Sequence, residues 1–223
     1  MARYSINQVA LHIPDPLLTG QLDKALASGR YESSESAALL RHLRPGDRFL
    51  DLGAGAGYLA SLAVKAGVAT ANGVEANPEM VPVASANLAL NGGTGEVIWG
   101  VVVGDAQTAA TLTFTLRRAF WASSLTPPGD AVNTREVEVP TLRLGDLLAR
   151  FSPTVASVDI EGGELDLVAT PLPAPLRLVL MEVHPSVYGK AGVKRIFDAL
   201  SAQGFCYCPT GSRGATVVFE RIT

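Results

Sequence analysis

The stretch FLDLGAGAGYLASLA, residues 49–63, constrains this chain more than any other. A short apolar run ends on Asp51, passes through Gly53, Gly55 and Gly57, and continues in a helical pattern. Glycines at a strand-to-helix turn let a ligand reach bare backbone, because no side chain intervenes and unusual dihedrals are tolerated. The N–H groups that open the helix then face whatever lies in the turn. A chain with such a unit near its start calls for further strands and helices in alternation.

That alternation follows. ATANGVEAN reads as a second strand ending on Glu75, with Asn77 as a cap and Pro78 as the first residue of a helix that Asn91-Gly92-Gly93 stops. EVIWGVVVG is a third strand. TLTFTL and REVEVPT, within residues 105–140, read as antiparallel strands that interrupt the rhythm. It resumes with the helix LRLGDLLARF, the strand TVASVDIE, a helix from about Gly163, the strand LRLVLMEVH and a helix over residues 190–203. FCYCPT and ATVVFERI close the chain as a hairpin. The pattern predicts an α/β domain, doubly wound around a parallel sheet covered on both faces. Residues 1–33, with helical spacing at Leu18, Leu22 and Leu26, form an N-terminal helical extension on a main domain of residues 34–223.

Composition narrows the function. A net charge of −3 gives no general attraction to nucleic acid or to an anionic membrane. No segment approaches the ~20 apolar residues that span a bilayer, and the N-terminus lacks the pattern of a signal peptide. Cys206 and Cys208 read as free thiols in a reducing compartment, so a cytoplasmic location is expected. As a Cys-x-Cys half-site for metal the pair lacks further cysteines, and buried packing is the reading adopted. His12 and His42 are assigned surface or core roles.

The acids fall at strand ends, where open α/β sheets bind ligands. A dinucleotide fingerprint would need a third glycine where Tyr58 stands, and the phosphate-cradling G-x-x-x-x-G-K-[ST] loop is absent. Glu75 suits a ribose, since a carboxylate accepts hydrogen bonds from both hydroxyls. Asp51, below the turn, suits an ammonium or sulfonium. A cofactor with a ribose, a cation and no pyrophosphate is S-adenosylmethionine (SAM). Its expected contacts are Asp51, Gly53, Ala54, Gly55, Glu75, Ala76 and Asp159. Asp159 with Glu161, and Glu182 with His184, stand two residues apart on what should be neighbouring strands, so they share a side if each strand persists. His184 can then be a general base toward a substrate hydroxyl. Alternatively Asp159, Glu161 and Glu182 can hold a divalent ion that acidifies the hydroxyl. Glu164 reads as an acid complementing a helix dipole.

Together these pieces resemble the class I SAM-dependent methyltransferases and, within them, the FkbM-type family. The matching segments are PGDRFLDLGAGAGYLASLA, VEANPEMVPVASANLALNGG, VDIEGGELDLV and MEVHP, in the family's order. The resemblance implies a Rossmann-like sheet of seven strands, mostly parallel with an antiparallel C-terminal hairpin. It implies methyl transfer to a hydroxyl of a sugar, polyketide or similar small molecule. It places Asp51, Gly53 and Gly55 at the cofactor's methionine end, Glu75 at its ribose, and Asp105 near its adenine. Asp159 and Glu161 fall at the methyl-transfer mouth. The family often carries Asn at the position of Gly55, Lys at Ser157 and Asp at Gly145; the last two departures bear on the acceptor. Residues 106–140, with Trp121, Ser123 and Ser124, are the candidate acceptor wall. The alternative function is a non-catalytic module that binds SAM or a nucleoside and acts through a partner.

Overall fold

The computed structural model describes residues 1–117 and 134–222. Its frame is a seven-stranded sheet built from β3 (Arg48–Leu52), β4 (Thr70–Glu75), β5 (Val97–Trp99), β9 (Val155–Val158), β10 (Leu178–Glu182), β11 (Phe205–Arg213) and β12 (Thr216–Arg221), in the order β11-β12-β10-β9-β3-β4-β5. β10, β9, β3, β4 and β5 run parallel, whereas β12 is antiparallel to both β10 and β11. The expected sheet and its C-terminal hairpin are therefore present.

Alternation along the strands explains why both faces are covered. Leu178 and Leu180 of β10 pack into one core with Leu39, Tyr58 and Leu62, while Val179 and Met181 pack into another with Leu148, Ile196 and Leu200. The first core lies under α2 (Ser33–His42) and α3 (Tyr58–Lys65); the second lies under α5 (Leu144–Phe151) and α7 (Pro185–Ala202). Side chains two apart on a strand share a face, so a doubly covered strand must be apolar throughout. Asp51 breaks that rule, with its side chain on the face of Phe49.

At the end of the sheet away from the glycine turn, buried Asp47 accepts hydrogen bonds from Arg177 Nη2 at 2.5 Å, Thr154 Oγ1 at 2.7 Å and Arg44 N at 2.7 Å. This cluster ties together the starts of β3, β9 and β10, which leaves their other ends to carry ligand-binding groups.

Three elements differ from the sequence reading. The first is the N-terminal extension. Its helix α1 (Gly20–Ala27) begins at Thr19, whose hydroxyl accepts from Leu22 N, but the residues before it form a β-hairpin of β1 (Ala2–Ile6) and β2 (Val9–Ile13). α4 (Val81–Leu90) holds that hairpin. Asn87 Oδ1 accepts from His12 N at 2.8 Å, and Asn91 Oδ1 accepts from Ala10 N at 2.9 Å. A four-residue step on the helix thus matches a two-residue step on the strand.

The second is the third strand, which divides at Gly100. β5 stays in the main sheet, while β6 (Val101–Val103) joins a small sheet with β8 (Thr134–Arg143) and β7 (Thr111–Arg117). The third is α4 itself, which starts at Val81; Asn77 instead caps the preceding turn, its Oδ1 accepting from Glu79 N at 2.9 Å. Trp121, Ser123 and Ser124 lie outside the described residues. Among the described residues, no helix is long and apolar enough to cross a membrane.

Candidate active site

The glycine turn joins β3 to α3. Gly53 has φ +93, and a Cβ there would fall 1.8 Å from the carbonyl oxygen of Asp159. Glycine is required on both counts, and its absence of side chain brings the turn hard against the end of β9. Gly57 has φ +75, and a Cβ would meet the backbone of Ala84 at 2.7 Å. It therefore permits the close approach of α3 and α4 that the missing third glycine of a dinucleotide fingerprint would otherwise serve.

Glu75 ends β4 facing this turn. Its carboxylate accepts from Gly55 N and from Asn77 N, each at 2.7 Å. Burial pushes its pKa up to about 7 against the lowering effect of those N–H groups. Asp51 is buried beneath the turn, and its Oδ2 has no hydrogen-bond partner among the described residues. Burial, reinforced by the neighbouring Glu75 and opposed by the N–H of Ala60, raises its pKa to about 8.

A first cavity of about 690 Å³ of atom-free space, its open mouth included, lies over the turn. Gly53, Gly55, Glu75, Ala76 and Asp159 line it, together with Phe114 of β7 and Val101 of β6. Asp51 and Ala54 are buried behind that lining. Asp105 is not brought to it. The residue is exposed, and its Oδ1 accepts from Gly145 N at 2.8 Å at the start of α5. The third strand divides at Gly100, and Asp105, just beyond β6, is not among the residues that line the first cavity.

The second set of acids is assembled differently from the sequence reading. β9 ends at Val158, so Asp159 and Glu161 do not share a continuing strand. A turn brings them together instead, with Glu161 at φ +56, a conformation that L residues other than Asn and Asp seldom adopt. β10 ends at Glu182, and His184 caps the N-terminus of α7. His184 Nε2 stands 3.6 Å from Asp159 Oδ1 and 3.5 Å from Glu161 Oε2, while its Nδ1 stands 3.2 Å from Glu164 Oε1. Burial works against charge on the ring, but Glu164, Asp159 and Glu161 outweigh it and push the His184 pKa up to about 9.

A ring protonated at neutral pH has no lone pair with which to take a proton. His184 also lines neither cavity. His184 Nε2 instead stands against the carboxyl groups of Asp159 and Glu161. Glu164 is the residue that the sequence reading undervalued. It is wholly buried, and its Oε1 accepts from Ile160 N at 3.3 Å and Gly162 N at 3.2 Å, fixing the turn that aims Asp159 and Glu161. The divalent-ion set Asp159, Glu161 and Glu182 is not collected either. The ligand atoms that converge within 4.8 Å are those of Asp159, Glu164 and His184, where the imidazolium already supplies the counter-charge.

A second, larger cavity of about 1330 Å³, open mouth included, adjoins the first. Tyr31, Glu32, Asp159 and Glu161 line both. Glu182, Glu35, Arg30 and Arg213 belong to the second alone. Glu32, at φ +45 just before α2, has a pKa raised well above the carboxylate range by burial and then by the charge of Asp51. Asp159 is raised likewise, by burial and then by Glu182 and Glu161. Sequence reasoning missed Tyr31 and Glu32, since neither belongs to a periodic pattern or a motif.

The site fits SAM. An orphaned carboxyl oxygen lies below the glycine turn, a second carboxyl ends β4 beside it, and acids ring the cavity between, where a sulfonium and an ammonium would favour their ionised forms.

Comparison with known proteins agrees. A family model described as methyltransferase FkbM domain matches residues 51–207. A ribosomal protein L11 methyltransferase of Thermus thermophilus is 49% identical over 70 residues, which is 30% of this chain and 27% of that protein. Another, of Desulfosudis oleivorans, is 37% identical over 86 residues, 36% of this chain and 28% of that protein. These matches span little more than a quarter of the curated relatives' length. Magnesium protoporphyrin IX methyltransferase from Synechocystis PCC 6803, solved with bound SAM, superposes with a TM-score of 0.50 at 15% identity, covering 92% of this chain and 86% of that one, and so shares the fold. With the family model covering more than half its length, the chain belongs to the FkbM-domain family of SAM-dependent methyltransferases.

Proposed function

We propose that this chain methylates a hydroxyl group of a small polar molecule held in the second cavity. The observation that carries the reading is the shared wall: Asp159 and Glu161 line the cofactor cavity and the adjoining one at once. SAM supplies an electrophilic methyl group and leaves as a neutral thioether. The chain's part is to bring an oxygen nucleophile in line and to take its proton. Glu161 is the base in this scheme. It reaches both cavities, and the His184 imidazolium 3.5 Å away holds its carboxylate in place. Asp159 pairs with Glu182, and burial with the charges of Glu182 and Glu161 raises its pKa, so it is the weaker acid of the set. Tyr31 and Glu32 close the passage between the cavities from the opposite side.

An amine acceptor is the second reading, favoured by the carboxyl groups of Glu35 and Glu161 in the second cavity, which would bind a cation. The name of the L11 methyltransferase relatives points to a protein acceptor, but through matches confined to about a quarter of their length. The test is incubation of the purified chain with SAM and matched panels of polyols and amines, read by mass spectrometry for the methylated product. Methyl on oxygen, lost in Glu161→Gln with SAM binding retained, supports the first reading. Methyl on nitrogen replaces it with the second. SAM binding without transfer to either panel favours a binding module that acts through a partner.

A further inference from the structure

On the α2 side of the sheet, away from the glycine turn, His42, Cys208 and Glu220 bring a nitrogen, a sulfur and an oxygen within 4.8 Å of one another. His42 ends α2, Cys208 lies on β11 and Glu220 on β12. We infer that these three side chains form a zinc site that clips the C-terminal end of α2 to the terminal hairpin.

His42 Nε2 lies 2.8 Å from the carbonyl oxygen of Thr210, which can only accept, so Nε2 carries the proton. In the neutral ring the lone pair is then on Nδ1, and Nδ1 lies 3.2 Å from Glu220 Oε1. A neutral Nδ1 and a carboxylate are both acceptors, and such a pair is bridged by a proton or by a metal ion. A histidine that donates one N–H to a backbone carbonyl and offers the other nitrogen is the arrangement that orients metal-ligating imidazoles. Cys208 Sγ completes a nitrogen, sulfur and oxygen set suited to a borderline ion such as Zn²⁺, with bonds of about 2.0–2.3 Å and one coordination position left for water. His42 and Cys208 are sheltered, at 9% and 8% exposed, while the Glu220 side chain, 38% exposed, opens the group to solvent.

The backbone is shaped for the same end. The β11–β12 register shifts between Cys208 and Arg213, so the intervening residues bulge onto α2. Gly211, at φ +88, lies where a Cβ would meet Ala38 at 3.1 Å and the His42 ring at 3.4 Å. The bulge delivers the Thr210 carbonyl to His42. Cys208, unpromising when paired with Cys206 in sequence, thus finds its partners across the fold; Cys206 is exposed. Because α2 also carries Glu35, bonded to Thr216, and follows directly on Glu32, the clip stiffens one wall of the second cavity.

The test uses the full chain with zinc alone and, separately, cobalt(II) alone. Expected are one equivalent of zinc retained after gel filtration, a raised melting temperature, and a sulfur-to-cobalt charge-transfer band. Cys208→Ser removes the band, His42→Gln weakens zinc at least about tenfold, and Cys206→Ser changes neither. Retention of the band in Cys208→Ser, or wild-type protein that binds no stoichiometric zinc, overturns the proposal and leaves an imidazolium–carboxylate pair. Metal held only by the Asp159, Glu164 and His184 group gives no sulfur band, and also overturns it.

Discussion

Glu164 Oε1 lies 3.2 Å from His184 Nδ1, and the Glu164 side chain is wholly buried behind the ring. The contact decides the protonation of the site. It sets a buried carboxyl against the imidazole, two backbone N–H groups and the Tyr188 hydroxyl. Replacing that carboxyl with an amide removes a principal support for charge on the ring. Glu164→Gln should therefore lower the His184 pKa from about 9 toward its ordinary value near 6.5. An NMR titration of the His184 ring reads this directly. A midpoint unchanged from wild type would show that Asp159 and Glu161 alone hold the proton.

The ribose assignment of Glu75 yields a second prediction. Hydrogen bonds to a charged group contribute about 1.5–3 kcal/mol, so Glu75→Ala should weaken SAM binding about 10- to 100-fold. The variant also loses the acceptor for Gly55 N and Asn77 N, so the unliganded melting temperature must be measured beside the affinity. A loss of stability with SAM affinity intact would make Glu75 a brace for the turn and nothing more.

Stability should fall as pH rises, for groups of both kinds. His184 has a folded pKa of about 9 against 6.5, so its contribution is complete below 6.5 and is lost as pH rises through 9. Asp51 and Glu75 have folded values of about 8 and about 7 against 3.8 and 4.5, so the folded chain holds protons that the unfolded chain has released. Their effect also declines with rising pH, from the unfolded values up through the folded ones. The melting temperature of the unliganded chain should thus drop steadily between about pH 5 and 9. A cationic ligand over Asp51 and Glu75 favours their ionised forms, so SAM binding near neutrality should release protons. Calorimetry in buffers of different ionisation enthalpy measures that release, and a binding heat independent of buffer contradicts it.

The sheet was legible because its signals are local. Glycines, caps and apolar runs sit next to one another in sequence, and each strand's type follows from its own residues. The glycine turn and Glu75 were readable for the same reason. Glu164 was not, because an acid after two glycines at a helix start looks like any dipole partner until His184 is packed against it. Tyr31 and Glu32 reach the cavities through the placement of α2 on the sheet, a tertiary fact with no periodicity of its own. Asp105 lies off the main sheet because the strand leading to it divides at Gly100, although the sequence there reads as one apolar run. The N-terminal hairpin escaped because its two strands have only five residues each, too few to stand out although Val9, Leu11 and Ile13 alternate, and the proline-bounded segment after them is more conspicuous.

That hairpin supplies the last prediction. Asn87 is fully buried, and its amide serves three backbone groups. Oδ1 accepts from His12 N at 2.8 Å, and Nδ2 donates to Ala56 O at 2.9 Å and His12 O at 3.3 Å. The residue thus fastens β2 and the end of the glycine turn to the same point on α4. Truncation leaves those backbone groups buried without their partner, and each such loss costs about 1–3 kcal/mol. Asn87→Ala should destabilise the chain by about 2–4 kcal/mol, whereas the exposed neighbour substitution Leu90→Ala should be nearly neutral. Chemical denaturation measures both. Because Ala56 lies within the glycine turn, Asn87→Ala should also weaken SAM, and it should do so even at temperatures where the variant is fully folded. A variant that is destabilised yet binds SAM as tightly as wild type would show that the hairpin braces α4 alone, and that the turn holds its shape through Gly53 and Gly57 without it.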